Sequence, residues 1–561
     1  MWSCPSDASV SNKQTKNLLN AGNFLLSEMK SNDIQPFTPF SLRFGDTEMF
    51  VNIENGKQLI NFLDMQIMEQ TLIYDGDSAT NGGKNVFIEN IPRTCSGKSS
   101  EKMKYADEPY RIKYPTQSVD SLIRDLFPTS NYCPDRNYVF TVLLNIRIYI
   151  SPLDLLRHLS DHCMLEAQIG IENDKMSRNI MHLLFEWSEA FPYDFCVKDC
   201  MDLLKMIMKF CCSINSDLRL LSVKLIQNLN GKLSKLQRYE KALYSLNMNT
   251  GLLLCGPTEN TTSIIDTFYN PTVFAQQLAH IELERLSMIG SEEFVYAFSK
   301  NILLDLMHPC NRQDMIHMEC RAFNIKHYAE WCNRLRLLVG TEICRHIKKK
   351  NRAKALEFFV DVAQECFNMG NFNSLFVIAG TIDSNAVKRL KKTWLKMNNA
   401  SKWKILEHQT DPGCNFSNYR ATLKAANWRS KDRSSKNRDG KIVIPAFAVL
   451  HRDLLALHEY SKSPKMDCQN LNVKAFTEFS EQMEEFSNWK EAECSFETNH
   501  LLLQYILTVP IYDEQLLEFA SYQCEPPTNI KEKDACKKLR MEIQCSYSNR
   551  GCEDSCGSSS T

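Results

Sequence analysis

From Ser118 onward, apolar residues recur three and four positions apart in one segment after another. That spacing puts side chains on a single face of an α-helix. Segment 118–127 (SVDSLIRDLF) opens on a serine able to cap a helix and carries Leu122, Ile123 and Leu126 on one side. Ser151, Pro152 and Asp154 make a second start of this kind: a capping hydroxyl, a proline in the first turn and an acid favoured by the helix dipole. Segments 181–195, 200–212 and 353–369 keep the period, and Gly370 after the last is suited to a left-handed cap. In the connecting stretch 216–257 one helix is expected, over 218–229. The class these patterns predict is all-α.

Segment 442–462 (IVIPAFAVLHRDLLALHEYSK) departs from a simple buried stripe. Pro445 suits the first turn of a helix, and Phe447, Leu450, Leu454 and Leu457 then share one face. At about 100° per residue, Arg452, Leu455 and Glu459 fall on roughly the opposite side. A leucine and a carboxylate one turn apart therefore point away from the face that packs. Alone, such a leucine is an ordinary surface residue.

With 561 residues the chain is long enough for two or more domains, and 43% hydrophobic with 24% charged residues is a globular balance. A net charge of −1 argues against a chain that binds nucleic acid or a membrane along its whole length. The best apolar run, 138–150, is broken by Asn145 and Arg147 and falls short of the roughly 18 residues a membrane helix needs. Neither a signal layout at the start nor a lipidation motif at the end is read, so the expected location is cytoplasmic. The 22 cysteines are then expected as reduced thiols, with Cys196, Cys200, Cys211 and Cys212 packed in helical patterns. Cys310, His317 and Cys320, or Cys545, Cys552 and Cys556, could hold zinc in principle, but neither set has paired C-x2-C geometry. Segment 251–263 (GLLLCGPTENTTS) lacks the order and the lysine of a phosphate loop.

The order of several motifs carries a resemblance. Asp135, Arg136, Tyr138 to Thr141, Arg147, Trp187 and Phe191-Pro192-Tyr193-Asp194-Phe195 resemble the Ras exchanger motif. Downstream, Gln277-Leu278, Ile281-Glu282, Glu293-Phe294, Asn333-Arg334-Leu335, Thr341-Glu342-Ile343, Asn371-Phe372-Asn373-Ser374-Leu375, Arg389-Leu390, Asn415-Phe416 and Tyr419-Arg420 resemble the catalytic domain of Ras-type guanine-nucleotide exchange factors. Lys391-Lys392-Thr393-Trp394 and Lys441-Ile442-Val443-Ile444-Pro445 are closest to the subgroup called RasGEF domain family member one. The resemblance implies a helical exchanger-motif domain (115–247) packed on a larger helical catalytic domain (268–525) with a protruding helical hairpin. A linker (248–267) joins them, an N-terminal region (1–114) precedes them and a tail (526–561) follows.

The resemblance also implies chemistry. The hairpin would open the nucleotide site of a Ras-subfamily GTPase, with Leu455 near the Mg²⁺ position, Glu459 competing with phosphate for its donors, and Arg452 lining the stripe. Asn333, Phe376, Asp383 and Asn415 would meet the GTPase, the subgroup favouring a Rap-like one. No bond is made or broken, so no cofactor, metal or nucleotide of the chain's own is expected, and no nucleic-acid partner. Two departures stand out: Asp383 replaces the common Asn, and Ala386 the Pro three residues on. They leave a second reading open, a GTPase-binding scaffold that keeps the fold without exchange.

Two basic runs remain. Segments 346–354 (HIKKKNRAK) and 427–441 (NWRSKDRSSKNRDGK) could meet anionic lipid or an acidic partner, or be solvated turns. The second offers Ser434 and Ser435 as phosphorylation candidates. Before residue 115, helices are expected at 17–29 and 58–73 and loops at 78–83 and 93–102.

Overall fold

The computed structural model describes residues 116–169, 173–250, 256–257, 261–306, 323–431, 442–461 and 471–553. The expected elements before residue 116 lie outside this range, as do Ser434, Ser435, Cys310, His317, Cys320 and Cys556. The described chain is all-α apart from two short strands.

The first layer contains α1 (Val119–Leu126), α2 (Arg136–Ile146), α3 (Pro152–Ile169), α4 (Asn173–Ala190), α5 (Lys198–Ile214) and α6 (Leu218–Thr250). Its starts are chemically specified. Ser118 Oγ accepts from the Ser121 N–H at 3.2 Å and Asp135 Oδ1 from the Tyr138 N–H at 2.9 Å. At α3 the Ser151 hydroxyl accepts from the Asp154 N–H (3.1 Å) and donates to the Asp154 carboxylate (2.7 Å), so two polar ends are satisfied reciprocally. Helix α6 runs well beyond the expected 218–229. Gly231 lowers helix propensity, but a Cβ there would have open space around it, and Leu233, Leu236, Tyr239 and Leu243 continue the buried stripe past it. Cys200 and Cys211 are buried as expected; Cys212 is half-buried and Cys196 exposed, at the end of the 3₁₀ turn Pro192–Cys196 that turns its side chain outward.

The larger layer comprises α7 (Pro271–Met288), α8 (Ser291–Leu306), α9 (Phe323–Cys344), α10 (Lys349–Met369), α11 (Phe372–Asp383), α12 (Ala400–Thr410), α13 (Gly413–Lys431), α14 (Phe447–Ser461), α15 (Val473–Lys490), α16 (His500–Thr508), α17 (Glu514–Cys524) and α18 (Ile530–Glu553). Helices α7, α9, α10 and α11 pack on one another as its centre, and α14 lies along α15 as a hairpin.

One apolar core runs through both layers, from Val119 on α1 to Ala520 on α17. Where they meet, Arg147 at the end of α2 donates to Asp194 (2.9 and 3.4 Å) and to the Tyr296 hydroxyl (3.1 Å) on α8, over the ring of Phe191. Trp187 Nε1 donates to the same aspartate at 2.9 Å. The exchanger-motif residues Arg147, Trp187, Phe191 and Asp194 thus form a single buried cluster. The first layer also grips the hairpin. Strand β1 (Thr116–Gln117) pairs antiparallel with β2 (Leu471–Asn472), and Asn145 Nδ2 donates to Ser480 Oγ on α15 at 3.2 Å.

Candidate functional site

The base of the hairpin is tied down before the helix begins. Gly370 caps α10 with φ +89°, and a Cβ there would lie 2.2 Å from the Ile442 carbonyl oxygen. Backbones that close can exchange hydrogen bonds: Ile444 N–H donates to Gly370 O and Phe372 N–H to Ile444 O, each at 2.9 Å. The Ala446 N–H reaches the Tyr419 hydroxyl (2.9 Å), and the Phe447 N–H the side-chain oxygen of Asn373 (3.1 Å). Pro445 therefore belongs to this strap and not to the first helical turn, which starts at Phe447.

Asn373 is held in turn by a buried carboxylate. Its amide donates to both Glu282 oxygens (3.0 and 3.1 Å), and Ser374 Oγ (2.9 Å) and the Tyr328 hydroxyl donate to the same group. Burial raises the Glu282 pKa, while these donors pull it back. Helices α7, α9 and α11 meet at this one acid, and the first N–H of α14 joins them through Asn373. Sequence reading matched Glu282 and Asn373 as motif letters and gave neither a role; nothing in helical periodicity marks a buried hub.

On α14, Phe447, Leu450, Leu454 and Leu457 are buried, whereas Leu455 is half-buried and Glu459 exposed. Two histidines reinforce the inner side. His458 Nε2 meets Ser299 Oγ at 2.9 Å, and His451, against Phe298, is pushed down to about 4 by burial. The inner side of the hairpin's root is thus committed to packing, and the stripe of half-buried Leu455 and exposed Glu459 is left to the outside.

Beside that stripe lies a charged network. Cys414, Asn415 and Phe416 at the start of α13 all have positive φ (50°, 56° and 56°), a costly conformation for residues with a Cβ. Arg420 holds the turn, with Nε donating to the Asn415 carbonyl at 2.7 Å and Nη2 to its side-chain oxygen at 3.2 Å. Arg420 also pairs with Asp453 on α14 at 2.7 Å. Arg452 donates to the Asn415 side chain and to Asp453 (3.2 Å), with its guanidinium 5.2 Å from the Phe416 ring centre. Phe376 packs on Phe416 and Tyr419, with ring centres 5.8 and 4.9 Å apart. Arg452, Phe376 and Asn415 therefore come together; Asp453, the acid that links the two arginines, was not singled out from sequence, although its place next to Arg452 was a signal.

Asn333 and Asp383 make their contacts elsewhere, on the adjacent helices α9 and α11. Asn333 Oδ1 accepts from Arg336 (3.0 and 3.2 Å), which also pairs with Glu514. Asp383 is paired with Lys388 at 2.6 Å. The carboxylate that replaces the common amide thus has its own local cation. Among the described residues no cluster of His, Cys, Asp or Glu is placed to hold a metal, and no helix is long and apolar enough to cross a membrane.

A two-layer helical protein whose second layer presents a hairpin braced by the first is the architecture of a Ras-type exchanger. Comparison with known proteins agrees. Residues 273–491 match the RasGEF domain and residues 113–210 the RasGEF N-terminal motif. The chain is 42% identical over 436 residues to the Ras-GEF domain-containing family member 1B of Xenopus tropicalis, covering 76% of this chain and 90% of that one. It is 40% identical over 437 residues to the human member 1B and 38% over 432 to member 1C of Macaca fascicularis, with the same coverage. The chain belongs to the RasGEF family, the Ras-type guanine-nucleotide exchange factors.

Proposed function

We propose that the chain releases GDP from a Rap-like or Ras-like GTPase by inserting the outer stripe of α14 into the nucleotide site. The observation that carries this reading is the division of α14. One face is locked into the core through Phe447, Leu450, Leu454 and Leu457, and the other offers Leu455 and Glu459 to a partner. A stiff wedge needs no ordering on binding, so its contact energy is available to favour the nucleotide-free GTPase over the loaded one. Leu455 brings an apolar group toward the Mg²⁺ position and cannot replace oxygen ligands. Glu459 competes with phosphate for the donors of the GTPase's phosphate loop. Arg452 serves by fixing Asn415 and Phe416 beside the stripe, and Asn333, Phe376 and Asp383 extend the contact toward the second switch. We assign the work to the cytoplasm, at membranes that carry the GTPase, with residues 115–247 as the brace of a catalytic part spanning 268–525.

The scaffold reading rests on Asp383 and Ala386; Lys388, 2.6 Å from Asp383 in an exposed pair, tempers the added charge without removing it. Stopped-flow loss of labelled GDP from a panel of purified Ras-subfamily GTPases tests both. Catalytic amounts of the chain should accelerate release, most strongly from a Rap-like member. Stoichiometric binding without acceleration would establish the scaffold instead.

A further inference from the structure

The basic run 346–354 is not a uniform solvated turn. Arg352 is 1% exposed: it donates through Nε to Thr393 Oγ1 (2.9 Å), through Nη1 to the carbonyls of His346 and Ile347, and through Nη2 to Glu525 (3.2 Å). Glu525 also accepts from the Lys392 and Thr393 N–H groups, each at 3.0 Å. One buried guanidinium–carboxylate pair therefore clamps two segments distant in sequence side by side. Their outward residues are Ile347, Lys348, Lys349 and Lys350 on one segment, and Lys391, Lys392, Leu395 and Lys396 on the other, all exposed. Ile347 is 82% exposed and Leu395 84%, more than any other aliphatic side chain among the described residues.

None of these six lysines forms an ion pair among the described residues. Glu525 is inside the clamp, Glu357 accepts from Asn398 N–H (2.6 Å), and Asp361 pairs with Lys402 (2.7 Å). The clamp thus displays two exposed aliphatic side chains among six lysines that have no ion-pair partner among the described residues. A folded acidic protein would pair with the lysines, but protein interfaces close over a contiguous apolar centre, whereas here two single aliphatic tips stand among six lysines. A bilayer surface satisfies both, since aliphatic tips enter the acyl boundary while lysines reach lipid phosphate and carboxylate.

We propose that this clamped Ile347/Leu395 patch docks the protein on anionic membranes. The inference does not depend on the exchange reading. It is tested with the full chain alone, by co-sedimentation with vesicles of phosphatidylcholine and with vesicles that also contain phosphatidylserine. The wild type should bind only the anionic vesicles and be released by salt. Replacing Lys348, Lys349 and Lys350 by Gln together should weaken partition about tenfold or more. Leu395→Ser, which leaves the charge unchanged, should weaken it about fivefold. Lys533→Gln with Lys537→Gln, on α18, should bind almost as well as the wild type. Far-ultraviolet circular dichroism and the thermal unfolding midpoint should match the wild type in every variant, which verifies folding without recourse to exchange and keeps the two proposals separable. Absence of binding to anionic vesicles would overturn the proposal, as would Leu395→Ser binding like the wild type. So would capture of poly-glutamate in place of vesicles, which would assign the patch to an acidic protein.

Discussion

The strap between α13 and α14 makes Gly370 the most sensitive single position in the hairpin's support. In Gly370→Ala the new Cβ must occupy a left-handed conformation, costing about 1–2 kcal/mol. It would also stand 2.2 Å from Ile442 O, a backbone atom that no rotamer change can move away. Relief requires the strap to shift, which sacrifices the two 2.9 Å bonds between Gly370, Ile444 and Phe372, each worth about 1 kcal/mol. The expected loss is therefore about 3–4 kcal/mol in equilibrium urea unfolding. Because α14 follows the strap, catalysed GDP release should also fall in protein that remains folded. Gly231→Ala is the control: at an exposed position of α6 where the new Cβ would meet nothing within 4 Å, it should gain up to about 1 kcal/mol. If Gly370→Ala unfolded within about 1 kcal/mol of the wild type and exchanged normally, the strap could not be what sets the hairpin.

Three further outcomes are expected. Asn373→Ala leaves the Phe447 N–H unpaired and strips Glu282 of a donor, so unfolding free energy should drop by about 3 kcal/mol. Arg352→Ala strands the Glu525 carboxylate in the clamp and should cost about 3–5 kcal/mol by the same assay, with Lys348→Ala near neutral beside it. Glu292, buried within range of the Arg147 and Asp194 charges, has its pKa raised above the usual 4.5 by burial, against the opposing pull of Arg147. The folded protein then holds a proton that the unfolded chain loses first, so this group's contribution falls as pH rises from about 4.5 through its folded value. Glu292→Gln should accordingly gain stability relative to the wild type as pH is raised across that window, and a pH-independent difference between their unfolding curves would contradict the assignment.

Local chemistry was legible wherever one short segment decides the outcome. Ser118 and Ser151 cap as their spacing foretells, Gly370 turns left-handed, and the two sides of α14 separate as its period requires. Features set by distant partners were not. Arg352 reads as one more cation in HIKKKNRAK, yet it is buried because Thr393 and Glu525 arrive from far along the chain. Glu282 looks like a surface acid on a helix until Tyr328, Asn373 and Ser374 close over it. Pro445 suggested a helix start, but the pairing of Ile444 with Asn371 extends the strap past it. The left-handed turn at Cys414 to Phe416 contains no glycine and so gave no signal; Arg420 and Arg452 hold it from outside the segment.

The wedge itself is tested most directly by single-turnover release of labelled GDP from a responsive GTPase, followed as a function of chain concentration for Leu455→Ala and Glu459→Ala. Loss of either outward group should lower the limiting release rate by about tenfold, with a smaller change in the concentration giving half of it. Limiting rates equal to the wild type in both variants would mean that the outer stripe of α14 is not the element that opens the nucleotide site.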